Sequence, residues 1–492
     1  MNDERYRTKK SDRGLRQSGG PEGVGATRRD FLWRSACAAV GMQAISSTLF
    51  DLRRVASAAC TPSNDYKAMI CLFLYGGNDG NNVIVPRSGS DYSAYALARQ
   101  ALALPSGVLL PVTPLNPPPG DNRQWGLHPR LTNLRNLFNA QKAAVIANVG
   151  PLVEPVTRAD YLSGGAEFPP QLFSHSDQTV HWMTSWPDQV PVTGWGGRMA
   201  DRINYLNTNS QVSMSMSLDG SNVFQVGDSV TQIQVSSDGS IGLWGYEHAP
   251  TWNHPPTTAI NAMVAKSYGN LLERAYARVV DRAIDNDQLL REAFEWVDAN
   301  GGVPQFSPNV IDTNLGGQLY TIARLIKARG QLCLNRQMFF AASGGYDTHD
   351  DQVASNSPQT GSHADLLGEM DAAVGAFQAA IDAMGIGQQV TLFTASDFGR
   401  TYKSNLWGSD HGWGNHHFVV GGAVQGGRFY GRMPQLAMEG PDDTEDGRWI
   451  PKVSVDEYSA TLARWFGVPP SELPEIFPNI GNFASSNLGF LG

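Results

Sequence analysis

The chain runs to 492 residues with 41% hydrophobic side chains, 37 Lys and Arg against 46 Asp and Glu, and a formal net charge of −9. That is enough apolar material for a large core, while the acidic balance argues against a nucleic-acid partner. Four cysteines are too few for a disulfide-built scaffold, and 52 glycines with 29 prolines point to many turns rather than a helical bundle.

The N-terminal sixty residues stand apart. A paired Arg28–Arg29 in "TRRDFLW" precedes a modest apolar stretch, "SACAAVGMQAISSTLF", and a small-residue "ASA" at Ala56–Ala58. This pattern is that of a twin-arginine export signal over residues 1–58, with the translocase as a transient partner and a periplasmic or extracellular destination. The plainer alternative is a basic tail. A lipoprotein junction at Cys60 fits poorly because Ser57 stands where an apolar residue is usual. The apolar segment is too short and too polar for a stable membrane span. Cleavage after residue 58 removes eleven basic and six acidic side chains, leaving 26 against 40 and a net charge of −14.

Residues 59–492 read as one elaborated α/β domain. "AMICLFLYGGNDGNN" begins it with a buried strand, a helical "LTNLRNLFNAQK" follows, and "AAVIANVG" supplies a second strand. Between Ser213 and Ile241, polar and apolar residues alternate around Asp-Gly turns, which predicts a small β insert. A long helical segment from about Pro256 to Ala299 follows, so a cap-like β plus helical insert is expected at about 205–300. Further strands are "QMFFAAS", "QQVTLFTAS" and "HHFVVGG", with the helical "HADLLGEMDAAVGAFQAAIDAMG" between the first two. Continuous apolar strands are buried on both faces, so the fold class predicted is a doubly wound, mainly parallel sheet flanked by helices. Cys71 and Cys333 fall in or beside these strands and are expected as inert buried thiols.

In such a sheet ligands bind beyond the carboxyl ends of the strands. Asp79 follows the first strand in "YGGNDGNN". Asp347, His349, Asp350 and Asp351 lie in "GGYDTHDDQ", and Asp397 and Arg400 in "SDFGRT". "GSDHGWGNHHFVVGG" brings Asp410, His411, His416 and His417, three of only ten histidines. Carboxylates crowded in a cleft repel one another unless a cation joins them, and mixed Asp/His ligation suits zinc, manganese or iron. Each piece also has a plainer role: a turn for Asp79, helix-start acids for Asp350 and Asp351, a cap for Asp397. His416 and His417 point to opposite faces of a strand, so at most one faces the site.

The set "LYGGNDGNNVIVP", "LFSHSDQ", "GGYDTH", "SDFGRT" and "GSDHGWGNHHFVVGG", with "ATLARWFGV" and "IFPN" near the C-terminus, resembles the bacterial secreted domain-of-unknown-function 1501 family. That family is similar, more distantly, to the alkaline phosphatase–sulfatase superfamily. The resemblance implies a metal-dependent hydrolase-like protein acting on phosphate or sulfate esters, small or polymeric, with one or two ions. It places metal ligands at Asp79, Asp347, Asp397 and His411, with His349 substituting where Asp351 stands in place of an imidazole. Phe398 replaces another imidazole of the superfamily pattern. A nucleophile is implied in "FSHSDQ", at Ser174 or Ser176 beside His175 and Asp177; a helix-capping serine is the alternative. Arg400 is the cationic candidate to clamp an oxyanion, and a surface ion pair is its alternative. The competing functional reading is a non-catalytic envelope protein binding a polymer, with Trp182, Trp186, Trp195 and Trp413 as a stacking platform.

Overall fold

The run "KAMICLFL" forms strand β1 (Lys67–Leu74), buried along all but its first residue. In the computed structural model, which describes residues 65–492 except 120, 208–209, 237–238, 241, 249–253 and 355–356, this strand lies near the middle of a large sheet. The expected leader and the Cys60 junction lie outside the described residues. Helices α1 (Gly89–Arg99) and α2 (Thr132–Asn139) follow, α2 burying Leu134 and Phe138. Strand β2 (Ala143–Gly150) is buried throughout. Next come α3 (His175–Thr184) and α4 (Trp195–Ile203). Three short strands, β3 (Ser215–Ser217), β4 (Ile233–Ser236) and β5 (Gly239–Ser240), lead to α5 (Leu271–Ala299) and α6 (Asn314–Lys327).

Strand β6 (Arg336–Ser343), helix α7 (Ser362–Ala383) and strand β7 (Val390–Ser396) form the expected crossover. A ribbon of β8 (Arg400–Ser404) and β9 (Ser409–His411) then leads into β10 (Asn415–Gly421), β11 (Phe429–Gly431), β12 (Val453–Ser454) and α8 (Val455–Phe466). The start of α8 is fixed by a reciprocal capping box between Ser454 and Glu457.

One 10-stranded sheet runs β11–β2–β10–β7–β1–β6–β3–β4–β5, with β12 beside β2. The fold is therefore α/β, a mostly parallel sheet flanked by helices. Strand β1 pairs in parallel with both β6 and β7, Ile70 sitting opposite Phe339 and Leu392. Each such apolar side chain, wholly withdrawn from water, contributes roughly 1.5–3 kcal/mol. Strand β10 is antiparallel to β7 and β2, because the connection from β7 is a ribbon and not a crossover helix.

Two expectations need correction. The alternating Ser213–Ile241 stretch, expected as the β part of a cap, lies in the main sheet itself: β3 pairs in parallel with β6, so β3–β5 extend that sheet. Cys333 is disulfide-bonded rather than a free thiol. Cys71 is the buried thiol expected, its ionisation pushed up by burial. No helix among the described residues is long and apolar enough to cross a membrane.

Candidate metal centre

Strands β1, β6 and β7 end together, Leu74 lying opposite both Ser343 and Ser396. Segments that leave these strands therefore meet at one edge. The first turns sharply on Gly76 and Gly77, whose φ angles of 113° and 80° favour glycine. Space requires glycine as well. A Cβ at Gly76 would lie 2.3 Å from the Asp347 nitrogen, and one at Gly77 2.5 Å from the Phe398 ring. These glycines let the Asp347 and Asp397 segments close on the strand end. The ribbon then folds His411 back opposite Arg400.

Asp347 Oδ1 is the point of convergence. His349 Nε2 lies 3.1 Å from it, His175 Nε2 3.3 Å and His411 Nε2 3.4 Å. One ligand atom each from His175, Asp347 and His411 lies within 4.8 Å of the others. His349 Nε2 is 2.8 Å from His411 Nε2. Arg400 donates to the same Asp347 oxygen at 2.6 Å. Burial works against ionisation of Asp347, but the Arg400 hydrogen bond and charge, helped by His175 and His349, hold its carboxyl below the ordinary value.

The far nitrogen of each ring fixes what the near one offers. His411 Nδ1 is 2.7 Å from the Phe173 carbonyl, which can only accept. His349 Nδ1 faces Asp410 at 3.1 Å, and His175 Nδ1 faces Asp397 at 2.6 Å. With Nδ1 protonated in all three, each neutral ring turns an Nε2 lone pair toward Asp347. His175 Nε2 is buried without a hydrogen-bond partner. Lone pairs of His349 and His411 facing each other at 2.8 Å repel unless a proton or a cation joins them. The hydrogen bond to Asp397 raises the His175 pKa, whereas burial lowers that of His411. An N/O donor set with carboxylates and a carbonyl anchoring the outer nitrogens fits a divalent metal of the zinc, manganese or iron type.

Asp347, His349 and His411 thus come together, and Asp397 stands behind His175 instead of at the convergence point. Asp79 does not join them. It is 0% exposed, paired with the equally buried Arg99, and accepts from Gln352 and the Asn81 backbone. Arg400 is no oxyanion clamp, since its guanidinium is buried and donates to Gly77, Tyr346 and Ser409 carbonyls as well as to Asp347. Asp410 supports His349. His416 accepts from the Asn148 backbone and His417 packs on Trp182 and Tyr458, so both are structural. Asp350 and Asp351 begin no helix; α7 starts at Ser362. Trp182, Trp195 and Trp413 are buried, and Trp186 stacks on Arg198, so they form no exposed platform.

Ser174 stands at the N-cap position of α3 without a capping hydrogen bond, between two residues attached to the cluster, Phe173 and His175, and donates to Asp177 Oδ2 at 2.5 Å. His175 was missed as a ligand by sequence reasoning. The available signal was its place at a helix start, a position that aims side chains at a strand edge.

The sequence matches the family described as "Protein of unknown function (DUF1501)" over residues 66–473, and the chain belongs to that family. No curated protein matches it. Among solved structures it is similar to the PsFucS1 sulfatase from Pseudoalteromonas sp., with 13% identity, 87% of this chain and 70% of that one covered, and a TM-score of 0.33. Ps i-CgsB in complex with k-i-k-neocarrahexaose is similar at 12% identity, 84% and 77% coverage and a TM-score of 0.30. BT1596, a 2-O GAG sulfatase, follows at 8% identity, 84% and 74% coverage and 0.27. At such scores these likenesses carry no statement about chemistry.

Proposed function

We propose that this member of the DUF1501 family is an exported, metal-dependent hydrolase of phosphate or sulfate esters, with one divalent ion held by His175, Asp347, His349 and His411. The observation that carries the reading is the convergence of three Nε2 atoms on one carboxylate oxygen, the Nδ1 of each ring lying against Asp397, Asp410 or the Phe173 carbonyl. When bound, such an ion polarises an ester oxygen and offsets charge developing in the transition state. The protein contributes the rest. Ser174 is assigned as the nucleophile: its Oγ bonds phosphorus or sulfur as its proton passes to Asp177, the bond to the leaving alcohol oxygen breaks and that oxygen takes the proton from Asp177. A water then cleaves the seryl ester, its oxygen joining phosphorus or sulfur while one of its protons restores the Ser174 hydroxyl. Arg400 keeps Asp347 ionised and aimed. Export rests on the Arg28–Arg29 leader and the Ala56–Ala58 site.

Metal analysis of the purified protein, with a screen of aryl phosphates and aryl sulfates, tests this. The expected result is tightly bound metal and turnover that is lost in His411→Ala. Absence of bound metal and of turnover on every ester would overturn it. Phe398, standing in place of an imidazole of the superfamily pattern, favours a second reading, a non-catalytic envelope protein that binds a polymer. Saturable polymer binding without turnover of any ester would establish it.

A further inference from the structure

An anionic ester needs a cation at the mouth of the site, and two arginines near the strand edge are spoken for. Arg400 is consumed by three carbonyls and Asp347, and Arg99 by Asp79 and the carbonyls of Thr401 and Tyr402. Arg448 is different. Its Nε donates to the main-chain oxygen of His411 at 2.9 Å, and its guanidinium carbon lies 5.0 Å from the centre of the Phe173 ring. Both neighbours belong to the cluster, since the Phe173 carbonyl fixes His411 Nδ1. The ion pair of Arg448 among the described residues, Nη1 to Glu445 at 3.7 Å, is beyond hydrogen-bond length, and Glu445 is 79% exposed. The Arg448 side chain is 20% exposed.

The backbone that carries it is held firmly. Arg448 N donates to the Glu445 carbonyl at 3.0 Å, its own carbonyl accepts from Thr444 N at 3.1 Å, and the buried Asp443 ties down Glu439 N and Gly447 N. A guanidinium stacked on an aromatic ring and anchored through Nε loses little entropy when its two terminal nitrogens take a ligand. The planar pair of Nη groups matches two oxygens of a tetrahedral anion.

We infer that Arg448 is the anion-recognition residue of this centre, its Nη1 and Nη2 binding two oxygens of a tetrahedral oxyanion, phosphate or sulfate, beside the His175–Asp347–His411 cluster. The inference rests on the reading of that cluster as the functional site, although anion binding needs no turnover.

Inorganic phosphate and inorganic sulfate, titrated calorimetrically in separate experiments into the intact protein loaded with zinc, test it and tell the two anions apart. The wild type is expected to bind at least one of them saturably. Arg448→Gln should weaken that binding by roughly tenfold to a hundredfold, the range for a hydrogen bond to a charged group, read per zinc-loaded protein with bound zinc measured in the same sample. Arg448→Lys, which keeps the charge and loses the planar fork, should fall between the two and guards against a folding defect in the glutamine variant. Binding that depends on Arg448 in a protein turning over no ester supports this inference and removes the hydrolase reading. Metal-loaded wild type that binds neither anion, or variants that bind like wild type, would overturn the inference and leave the hydrolase reading to its own test.

Discussion

Replacing Asp79 and His175 in turn should separate folding from metal binding. Asp79 and Arg99 are each 0% exposed and paired with one another. Asp79→Ala strands a guanidinium in the interior, and breaking a buried pair from one side costs about 3–5 kcal/mol. His175 is 33% exposed and sits at the first position of α3, where its ring bonds Asp397 and packs on Phe398. His175→Gln keeps a donor for the buried Asp397 and should change stability less, by about 1–2 kcal/mol. It removes a ligand nitrogen, and metal affinity should fall at least as far as the roughly 10–100-fold known for loss of mere outer-shell partners. Urea denaturation followed by tryptophan fluorescence reads the first quantity, and competition with a chelator of known affinity reads the second. The expected pattern is a destabilised Asp79→Ala that holds metal as wild type does, and a stable His175→Gln that does not. Metal loss in folded Asp79→Ala, or wild-type metal affinity in His175→Gln, would refute the assignment.

Asp397→Asn keeps an acceptor for Gly76 N and His175 Nδ1 but removes the charge, so metal affinity should drop roughly 10–100-fold in the same competition assay. Titration with zinc should saturate at about one ion per chain, and a second tight ion would contradict the occupation of Asp79 by Arg99. Gly77→Ala places a methyl 2.5 Å from Phe398 at a φ of 80°, so overpacking and backbone strain together should cost about 2–4 kcal/mol in urea denaturation. Because Phe398 stacks within 4.7 Å of both the His175 and His411 rings, metal affinity should fall with it; wild-type stability would defeat this account. Asp456 is fully buried at the start of α8, and burial raises its pKa to about 7 against the opposing effects of Ser185, its own backbone and Arg198. The folded chain then keeps a proton that the unfolded chain releases near pH 4. Its contribution to stability is complete below that value, is lost as pH rises to about 7 and is level above, a change of at most about 4 kcal/mol. Asp456→Asn should flatten the difference in denaturation midpoint between pH 4.5 and 8; an unaltered slope would contradict the shift.

What could be read in the sequence was whatever burial writes into composition. "AAVIANVG" and "VTLFTAS" are continuous apolar runs because both faces of those strands are covered. Asp347 and Asp397 follow the ends of two such runs, "QMFFAAS" and "VTLFTAS", and so fall at one edge, while His411 lies in the stretch that gathers three of the ten histidines. Direction was less legible. Strand β10 is as buried as its neighbours, and only the ribbon before it makes it run the other way. The polar-apolar alternation of Ser213–Ile241 reads as a small β insert within a cap, and pairing with β6 gives β3 an edge of the main sheet to join. His175 carried one signal, its place at a helix start, but nothing in the sequence ties it to Asp397, 222 residues away. Residue type and spacing carry no information about which ring nitrogen a distant carboxylate will hold.

The two aspartates that follow paired glycines, Asp79 in "YGGND" and Asp347 in "GGYD", show where motif reasoning stops and electrostatics begins. Both leave buried parallel strands at the same edge, and each meets an arginine. Arg99 arrives from the end of α1 into a region closed to solvent and, with Gln352, holds one Asp79 oxygen while a backbone amide takes the other. A cation added there would face a guanidinium it could not displace without stranding that charge in the interior. Arg400 meets Asp347 differently, spending most of its donors on carbonyls and leaving the carboxyl 47% exposed. One hydrogen bond keeps that carboxylate ionised without enclosing it, so three imidazoles can approach the same oxygen from the open side. Whether a strand-end aspartate becomes a structural anion or a ligand is thus decided by how completely its arginine is committed elsewhere. That favours one ion at Asp347 and none at Asp79.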